Sequence, residues 1–471
     1  MISATQHQSS GTEVIDVLIL GAGGGGYPAA FLLAKAGLKV VMVDPFGNLG
    51  GDCLAEGCIP SKALRESALM RAMAEKYNYF GLTGEKPGFD WKSVLAHKDK
   101  VQSLRYSQHT DEITGSSMVF HKGMGKILGL HEAEVKTAAG ALHRYQFSWL
   151  IAATGSRPHI LSIPGADLAI TSHDLYRLGA DLPQPQHLAI IGGGYIGAET
   201  ASMLNQLGTQ ATIFEQTEAL LPGVDQEMRD YLTRILSKRC QVITHAQVTS
   251  LETLADGTRV VHYMVNGKAQ SLQADAVLMA TGRVSVPPAG GECIGLPTSG
   301  RIEVDTSMRT KLPHVFAPGD INGHSMLFHS AVRQSLVAAH NILAGGQSVD
   351  RMNYLSVPFT VFTDPELAWV GLTQAQAQAQ GLNVSVVRYD YATDSRAQIY
   401  DAMDGFIKLV FDNGTQRLLG AQIAGLDAAQ VIAPLALAVE EESTAATLTS
   451  MVFPHPMISE GINKAARKFH P

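Results

Sequence analysis

The sequence predicts an α/β protein that contains two dinucleotide-binding units and ends in a separate α+β domain. A glycine turn between a strand and a helix occurs at Gly21 and occurs again at Gly192. From about Tyr354 the pattern changes to short alternating strands and helices. A chain of 471 residues is also too long for a single hydrophobic core, so several domains are expected.

The first unit begins with an apolar strand, Val14 to Leu20, and passes through a glycine turn into a helix from Ala29 to Ala36. A second strand follows, and Asp44 stands at its end, 23 residues after Gly21. Glycines in such a turn let a pyrophosphate approach the helix N-terminus, while the acid takes ribose hydroxyls. The residues predicted to bind a dinucleotide here are Gly21, Gly23, Gly26 and Asp44.

The same arrangement returns between Leu188 and Glu215, which again lies 23 residues after its first glycine. One GxGxxG alone is a weak signal, but two copies with matched strands, helices and terminal acids predict two bound dinucleotides. A carboxylate at Glu215 would repel a 2′-phosphate, so we expect NAD rather than NADP. The glycines of this second turn are Gly192, Gly194 and Gly197.

Charge and hydropathy exclude several classes of partner. The chain has 36 Lys and Arg against 43 Asp and Glu, and it has no basic run, so no nucleic acid partner is expected. No stretch of about eighteen apolar residues occurs, so no membrane span is predicted. The first thirteen residues contain no Lys or Arg and lack the features of a secretory signal. We expect a mobile tail there and a cytoplasmic protein.

Cys53 and Cys58 lie directly after the first unit, in a chain with four cysteines. A regular helix would separate them by roughly 7.5 Å along its axis, whereas bridged Cα atoms rarely exceed about 7 Å. We therefore expect an irregular backbone, broken at Gly57 and Pro60, with a helix from about Ser61. A redox disulfide is the favoured interpretation. A metal site is the alternative, but it normally needs four ligands and the other two cysteines stand alone.

Longer motifs occur together in one order along the chain: GGDCLAEGCIPSKAL, ATGS, GGGYIGAE, LLPGVD, ATGR, APGD, VFTDPELAWVGLT and FPHPMISE. In combination they resemble the pyridine nucleotide-disulfide oxidoreductases, and within them the group that oxidises dihydrolipoyl groups. The resemblance covers about residues 14 to 468. It implies FAD and NAD as cofactors, a homodimer, and a lipoylated carrier protein as partner.

The resemblance also implies a division of the chain into four segments. They are the first part of an FAD-binding domain over residues 1–155, an NAD-binding domain over 156–284, a second, central part of the FAD domain over 285–350, and an interface or dimerisation domain over 351–471.

The family pattern assigns roles to residues around the cysteine pair. Cys58 would be the thiol nearer the flavin, and Cys53 would be the thiol that exchanges with the substrate. Lys62 would lie beside the flavin and pair with Glu199. The implied reaction oxidises protein-bound dihydrolipoyl groups to lipoyl disulfide and reduces NAD to NADH.

His455 is the candidate base, and Glu460 follows it by five residues. A lone histidine is more often a surface or core residue than a catalytic one. A thiol reaction at neutral pH nevertheless needs a base with a pKa near 7, and a carboxylate on the far ring nitrogen fixes the tautomer. In similar proteins this histidine reaches the disulfide of the other subunit, and its bond to Pro456 is cis.

The resemblance extends to cofactor contacts. The residues implied to contact FAD are Asp44, Gly50, Gly51, Asp52, Lys62, Gly125, Thr154, Gly155, Ser156, Asp320 and Phe328. The residues implied to contact NAD are Gly192, Gly194, Tyr195, Ile196, Gly197, Glu199, Glu215, Val248 and Gly282.

The cysteine segment departs from the family pattern at Asp52, where Thr is usual, and at Glu56, where Val is usual. Two extra carboxylates beside the thiols are expected to disfavour the thiolate by like-charge repulsion. Two other functions remain open. The first, a disulfide reductase similar to glutathione reductase, is disfavoured by Glu215. The second, a non-catalytic flavoprotein in a larger assembly, is disfavoured by the intact set of thiols, lysine and histidine.

Overall fold

The computed structural model of the protein describes residues 11–470. It is an α/β structure with two glycine-turn units and a C-terminal α+β domain, as the sequence predicts. The tail expected over the first thirteen residues is wrong at Thr12 and Glu13, which belong to the first strand. The rest of that prediction falls on residues 1–10, outside the described range.

The first unit is built around a parallel sheet. Its elements are β1 (Thr12–Leu20), α1 (Tyr27–Lys35), β2 (Val40–Asp44), α2 (Gly51–Ala55), α3 (Cys58–Ala72), α4 (Trp91–Thr114), β3 (Val119–Gly129), β4 (Glu132–Thr137) and β5 (Leu142–Ala152). β1 is the central strand, because its apolar run is covered on both faces. It pairs in parallel with β2 on one side and β5 on the other.

The sequence from Val119 to Val135 predicts a strand, and this prediction is wrong in its extent. The segment forms two strands, β3 and β4, which pair antiparallel around a turn at Leu130 and His131. The apolar character continues through the turn, so hydropathy alone does not mark the reversal. β4 also pairs antiparallel with β5.

The second unit repeats this design around a smaller sheet of four parallel strands. Its elements are β6 (Ser156–Pro158), α5 (Ser172–Tyr176), β7 (His187–Ile191), α6 (Tyr195–Gln206), β8 (Gln210–Phe214), α7 (Gln226–Leu236), β9 (Gln241–Ile243), β10 (Ala246–Thr253), β11 (Arg259–Val265), β12 (Lys268–Ala274), β13 (Ala276–Met279) and β14 (Arg283–Ser285). A parallel sheet has the order β13–β7–β8–β9, and β10, β11 and β12 form an antiparallel sheet beside it.

The chain then returns to the first unit. β15 (Val315–Phe316) pairs in parallel with β5, and α8 (Phe328–Leu343) packs against α1. The carboxyl ends of β1, β2, β5 and β15 therefore meet at one edge, which is where open parallel sheets bind ligands. Among the described residues no helix is long and apolar enough to cross a membrane.

The C-terminal domain is an antiparallel sheet with helices on one face. Its elements are β16 (Phe359–Val361), β17 (Glu366–Gly371), α9 (Gln374–Ala379), β18 (Val384–Asp390), α10 (Ser395–Ile399), β19 (Phe406–Asp412), β20 (Leu418–Gly425), α11 (Ala428–Glu440), α12 (Ala445–Ser450) and α13 (Glu460–Ala466). The strand order is β16–β17–β20–β19–β18. β19 is buried almost throughout, because one face packs on α11 and α13 and residues of the other contribute to the core of the second unit.

Candidate active site

The first glycine turn closes tightly at the end of β1. Gly21 has a φ of 104°, and a Cβ atom at this position would collide with a backbone carbonyl of the segment after β5. The carboxylate of Asp44 accepts hydrogen bonds from the backbone N–H of Ala22 at 2.9 Å and of Phe46 at 2.8 Å. Burial raises the pKa of Asp44, although these backbone donors oppose the shift. Asp44 thus stabilises the glycine turn through its hydrogen bonds to the backbone.

The second glycine turn has matching geometry. Gly192 has a φ of 107° and donates a hydrogen bond to Phe214 O at 2.8 Å. The buried Glu215 carboxylate accepts hydrogen bonds from the N–H groups of Gly193 and Thr217, each at 2.8 Å. A carboxylate fixed at this position would repel a 2′-phosphate, which supports the prediction of NAD.

The cysteine segment is irregular, as predicted. Cys53 lies within α2, Cys58 is the first residue of α3, and the chain breaks between the two helices at Gly57, with φ −136° and ψ −107°. The helix begins three residues earlier than the predicted start at Ser61. Pro60 is accommodated in the first turn of α3, where its missing N–H needs no helical partner.

The two sulfurs are free thiols that interact with each other. A hydrogen bond from the Cys53 thiol lowers the pKa of Cys58; burial opposes this effect, and the Lys62 ammonium adds to it. The same hydrogen bond raises the pKa of Cys53. Of the two thiols, Cys58 is therefore the more acidic and Cys53 the less acidic.

Lys62 lies one helical turn after Cys58 and forms the predicted ion pair with Glu199, at 2.8 Å. The other oxygen of Glu199 accepts a hydrogen bond from Phe362 N at 2.9 Å. The Lys62 ammonium also lies 4.5 Å from the centroid of the Phe362 ring. This contact joins the first unit, the second unit and the C-terminal domain beside the thiols.

Asp320 follows β15 and contacts Ser156, the first residue of β6. It accepts a hydrogen bond from Ser156 Oγ at 2.5 Å, and Ser156 Oγ in turn accepts one from Arg283 Nε at 2.8 Å. Burial raises the pKa of Asp320, while Ser156 and Arg283 act against the rise. Arg283 is a site residue that was not predicted from the sequence, although Arg283 directly follows the strand-end motif ATG.

The carboxylates that depart from the family pattern are each paired with a cation. His173 Nε2 lies 2.7 Å from Asp52 Oδ1, and His173 Nδ1 lies 2.9 Å from Glu56 Oε2. Arg283 Nη2 lies 2.7 Å from the other oxygen of Asp52. Asp52 raises the pKa of Cys58, in the direction expected for like-charge repulsion, but it is the smallest of the named contributions. The sequence does not show that His173 and Arg283, from other elements, lie against these carboxylates.

Burial lowers the pKa of His173, but Asp52 and Glu56 together outweigh it and raise the pKa to about 9. His173 is thus an imidazolium at neutral pH. No motif in the sequence marks it, because it comes from the short helix α5, far along the chain from the cysteines.

Other predicted FAD residues surround the first glycine turn. Gly50 donates a hydrogen bond to Ala22 O at 2.9 Å, and a Cβ atom on Gly51 would lie 2.7 Å from the Cα of Gly23. Phe328 begins α8 and covers the turn from the other side. Gly26 is at the start of α1, Gly125 is in β3, and Thr154 and Gly155 follow β5.

Predicted NAD residues lie around the second glycine turn. Tyr195 and Ile196 open α6, and the Tyr195 side chain is 41% exposed. Gly194 precedes that helix, and Gly197 lies within its first turn. Val248 lies in β10, and Gly282 follows β13 with a φ of 101°. The cofactor contacts of these residues stay predictions.

His455 and Glu460 form the predicted pair. His455 Nδ1 lies 3.0 Å from Glu460 Oε2, which also accepts a hydrogen bond from Met457 N at 3.1 Å. Burial raises the pKa of Glu460, but Met457 N–H, His455 and Lys464 lower it below its ordinary value. The peptide bond between His455 and Pro456 is cis, as the resemblance implies.

The histidine pair and the cysteine pair do not meet within one chain. Within residues 11–470, neither His455 nor Glu460 forms a hydrogen bond or ion pair with the cysteine segment. The His455 side chain is 68% exposed, so its Nε2 atom is available to groups outside its own domain.

Comparison with known protein families agrees with the site. The family described as pyridine nucleotide-disulphide oxidoreductase matches residues 15–335, and its dimerisation domain matches residues 357–466. The dihydrolipoyl dehydrogenase of Vibrio cholerae is 35% identical over 468 residues, covering 96% of this chain and 95% of that protein. The mitochondrial dihydrolipoyl dehydrogenase of Dictyostelium discoideum is 33% identical over 467 residues, covering 97% and 94%.

Solved structures with the same fold include LpdA from Mycobacterium tuberculosis and the HOCl-induced flavoprotein disulfide reductase RclA from Escherichia coli, the latter as a Cu(II) complex. LpdA has a TM-score of 0.88 at 25% identity and covers 96% of this chain and 99% of its own. RclA has a TM-score of 0.84 at 26% identity, with coverages of 97% and 99%.

Proposed function

Because this chain belongs to the pyridine nucleotide-disulphide oxidoreductases, we propose that it is a dihydrolipoyl dehydrogenase that uses FAD and NAD. It oxidises dihydrolipoyl groups to lipoyl disulfide and reduces NAD⁺ to NADH with release of a proton. The observation that supports this most strongly is the placement of two reduced cysteines on either side of the break between α2 and α3, with Cys58 one helical turn before the Lys62–Glu199 ion pair.

The residues present fit both dinucleotides. A Cβ atom at Gly21 or at Gly192 would fill the space next to a backbone carbonyl, so the two turns need glycine. Both turns lead into a helix N-terminus whose free N–H groups suit a pyrophosphate. FAD, when bound, supplies a two-electron relay between the dithiol and NAD.

The chain's own residues support the thiol chemistry. His455 Nε2 accepts the proton of a dihydrolipoyl thiol, while Glu460 holds Nδ1 in the N–H tautomer. The substrate thiolate attacks Cys53 Sγ of the oxidised pair, and the sulfur–sulfur bond breaks to release the Cys58 thiolate. The second substrate thiol then attacks the substrate sulfur of the mixed disulfide. Cys53 leaves and takes up the proton of that second thiol. The substrate leaves as a disulfide, and both of its electrons remain on the protein dithiol.

Dimer formation and the partner are part of the same proposal. We infer a homodimer, because the dimerisation domain of the family matches residues 357–466 and His455 in that region does not reach its own cysteines. The physiological substrate is a lipoylated carrier protein. We also infer a cytoplasmic location, where a thiol pair can cycle without being trapped as a structural disulfide.

Turnover by single-serine variants tests this function. Purified protein with dihydrolipoamide and NAD⁺ is expected to form NADH, and Cys53→Ser or Cys58→Ser is expected to lower the rate by at least about 10³-fold. Cys293→Ser is the matched control, because Cys293 is an exposed thiol whose hydrogen-bond contact is with Ile127 O rather than with the redox pair. Wild-type protein that turns over glutathione disulfide with NADPH but not dihydrolipoamide with NAD⁺ would contradict the proposal.

A further inference from the structure

The His173 imidazole connects the two ends of the helix that contains Cys53. Asp52 immediately precedes Cys53, and Glu56 is the C-cap residue directly after α2. The ring nitrogens of His173 lie 2.7 Å from an Asp52 oxygen and 2.9 Å from a Glu56 oxygen. One side chain from α5 therefore spans the whole segment around the substrate-side thiol.

Charge in this network is balanced. Asp52 and Glu56 contribute two negative charges, and protonated His173 and Arg283 contribute two positive charges. Within this balance the pKa of Cys58 is lowered by the Cys53 hydrogen bond and by Lys62 and raised by burial and Glu199, and the repulsion from Asp52 is the smallest of the named contributions. Loss of either cation would leave a net negative charge beside the sulfur that must become anionic on reduction.

Other charged groups face the network from neighbouring elements. Glu199 of α6 pairs with Lys62 next to the thiols, and Asp320 lies 3.9 Å from Arg283 Nε. Tyr106 of α4 lies near Glu56, and burial together with that carboxylate raises its pKa to about 12, so it stays neutral at working pH. Among the groups that face Asp52 and Glu56, His173 is the one with a pKa close enough to neutrality for its charge to be lost at moderately alkaline pH.

The geometry favours a charge bridge over a metal site. Ligand atoms of Asp52, Glu56 and His173 lie within 4.8 Å of one another, which is a spacing that a metal ion could use. However, a metal needs a deprotonated ring nitrogen, whereas His173, with ring nitrogens 2.7 and 2.9 Å from two carboxylate oxygens, has a pKa raised to about 9. The Nε2 contact with Asp52 is an ion pair without hydrogen-bond geometry. The Arg283 guanidinium on Asp52 would also repel a cation.

Buried polar side chains of α4 hold the two bridged elements in place. Gln102 donates hydrogen bonds to Leu54 O and Ala55 O, each at 2.9 Å, at the end of α2. Lys98 donates to Gln102 at 3.0 Å and to Arg177 O, just after α5, at 2.8 Å. The distance between His173 and the cysteine helix is thus set by a fully buried pair rather than by a mobile loop.

We propose, on the basis of the function above, that His173 is a positioning residue that sets the thiol–disulfide equilibrium of Cys53 and Cys58 by cancelling the charge of Asp52 and Glu56. Reduction of the pair takes two electrons and one proton and yields the Cys53 thiol and the Cys58 thiolate. The electrons come from the dihydrolipoyl dithiol. A cation at His173 stabilises that reduced product, and a stabilised thiolate makes a disulfide easier to reduce.

Redox titration of the intact, flavin-loaded dimer tests this proposal. Protein is equilibrated in dithiothreitol buffers, and the reduced pair is counted by thiol alkylation and mass spectrometry. His173→Gln is expected to shift the equilibrium constant toward the disulfide by at least about tenfold, or about 30 mV for a two-electron couple. His173→Lys retains a cation and is expected to stay close to wild type.

Three further variants distinguish an effect of charge from an effect on folding. Asp52→Asn with Glu56→Gln is expected to shift the equilibrium toward the dithiol, and adding His173→Gln to that background should change nothing further. His340→Gln is the matched control. His340 also lies 2.7 Å from a carboxylate, that of Asp350, but it is near the C-terminal end of α8 and has no ion pair with the cysteine segment among the described residues. Flavin content and melting temperature are compared for all variants, so a variant that fails to fold is recognised.

Several outcomes would overturn the proposal. An unchanged equilibrium in His173→Gln, or an equal shift in His173→Lys, shows that the charge of His173 does not matter. Calorimetric binding of Zn²⁺ to the wild type that is lost in His173→Gln shows a metal site instead. A wild-type protein that does not oxidise dihydrolipoamide contradicts the proposed function, while the redox titration still reports on His173.

Discussion

At the scale of single residues, the protonation of His173 predicts a pH-dependent contribution to stability. Its pKa rises from about 6.5 to about 9 in the folded protein. A raised folded pKa gives stability that is complete below the unfolded value and is lost as pH rises through the folded one. We therefore expect His173→Gln to lower the free energy of unfolding by about 2 to 3 kcal/mol at pH 6.

The same substitution should cost much less at pH 9.5, because wild-type His173 is then mostly neutral. Chemical denaturation of both proteins at the two pH values measures the difference, with His340→Gln treated in parallel. A loss of stability that is equal at both pH values would mean that His173 contributes packing rather than charge.

Two residue pairs were predictable because their members belong to motifs of the family pattern. The Lys62–Glu199 and His455–Glu460 pairs are present at 2.8 Å and 3.0 Å. The consequence of Asp52 was not predictable, because its partners come from α5 and β14 and only the folded chain brings them together. A charge can be read from sequence, but its compensation depends on long-range contacts.

At the scale of elements, the two glycine turns combine a positive φ with a close backbone carbonyl, whereas a glycine such as Gly208 has the positive φ alone. Gly192 has a φ of 107°, and a Cβ atom there would also collide with Ala280 O. Gly208 has a φ of 96° but open space around it. Gly208→Ala should therefore cost only the backbone strain, about 1 to 2 kcal/mol, whereas Gly192→Ala should cost at least about 3 kcal/mol.

Binding measurements distinguish a role of the second glycine turn in nucleotide binding from an effect on overall stability. We expect Gly192→Ala to weaken NADH binding by at least about tenfold while the flavin content is unchanged, since the first turn is untouched. Fluorescence titration with NADH and the absorbance of bound flavin give the two quantities. Equal NADH affinity in the Gly192 and Gly208 variants would contradict a role for the second turn in nucleotide binding.

Element predictions succeeded where hydrophobic period and glycine punctuation agree. Strands predicted at Leu188–Ile191 and Ala211–Phe214, and a helix predicted to end at Leu207, agree within one residue with β7, β8 and the end of α6. The run from Val119 to Val135 failed, because its reversal at Leu130 and His131 contains no residue that marks a turn strongly. The long helix α4 has almost no apolar face for hydropathy to detect, although its Lys98 and Gln102 are fully buried.

At the scale of the whole molecule, the order of domains followed from the repeat and from the change in pattern near the C-terminus. The assignment of residues 1–155, 156–284, 285–350 and 351–471 to separate roles stays a prediction. The structure adds the point at which three parts meet, because Lys62, Glu199 and Phe362 come from three different segments. The family pattern predicted the Lys62–Glu199 pair but not its contacts with Phe362, since contacts between segments so far apart form only in the folded chain.

The proposed site is completed only by a second subunit, and this can be tested by mixing two inactive variants. Cys53→Ser lacks the exchange thiol, and His455→Gln lacks the base. A mixed dimer retains one complete site, made of the cysteines of the His455→Gln chain and His455 of the partner subunit. Dimers of Cys53→Ser with Cys58→Ser are the matched control, because they contain no complete site in either arrangement.

The decisive measurement is turnover of dihydrolipoamide with NAD⁺ by mixed dimers of Cys53→Ser and His455→Gln, purified through two different affinity tags. If the base acts across the dimer, the mixed dimer has about half the wild-type activity, while both parent homodimers and the Cys53→Ser with Cys58→Ser dimer are nearly inactive. A mixed dimer as inactive as its parents would contradict the account, because the thiols and the histidine would then have to come from the same chain.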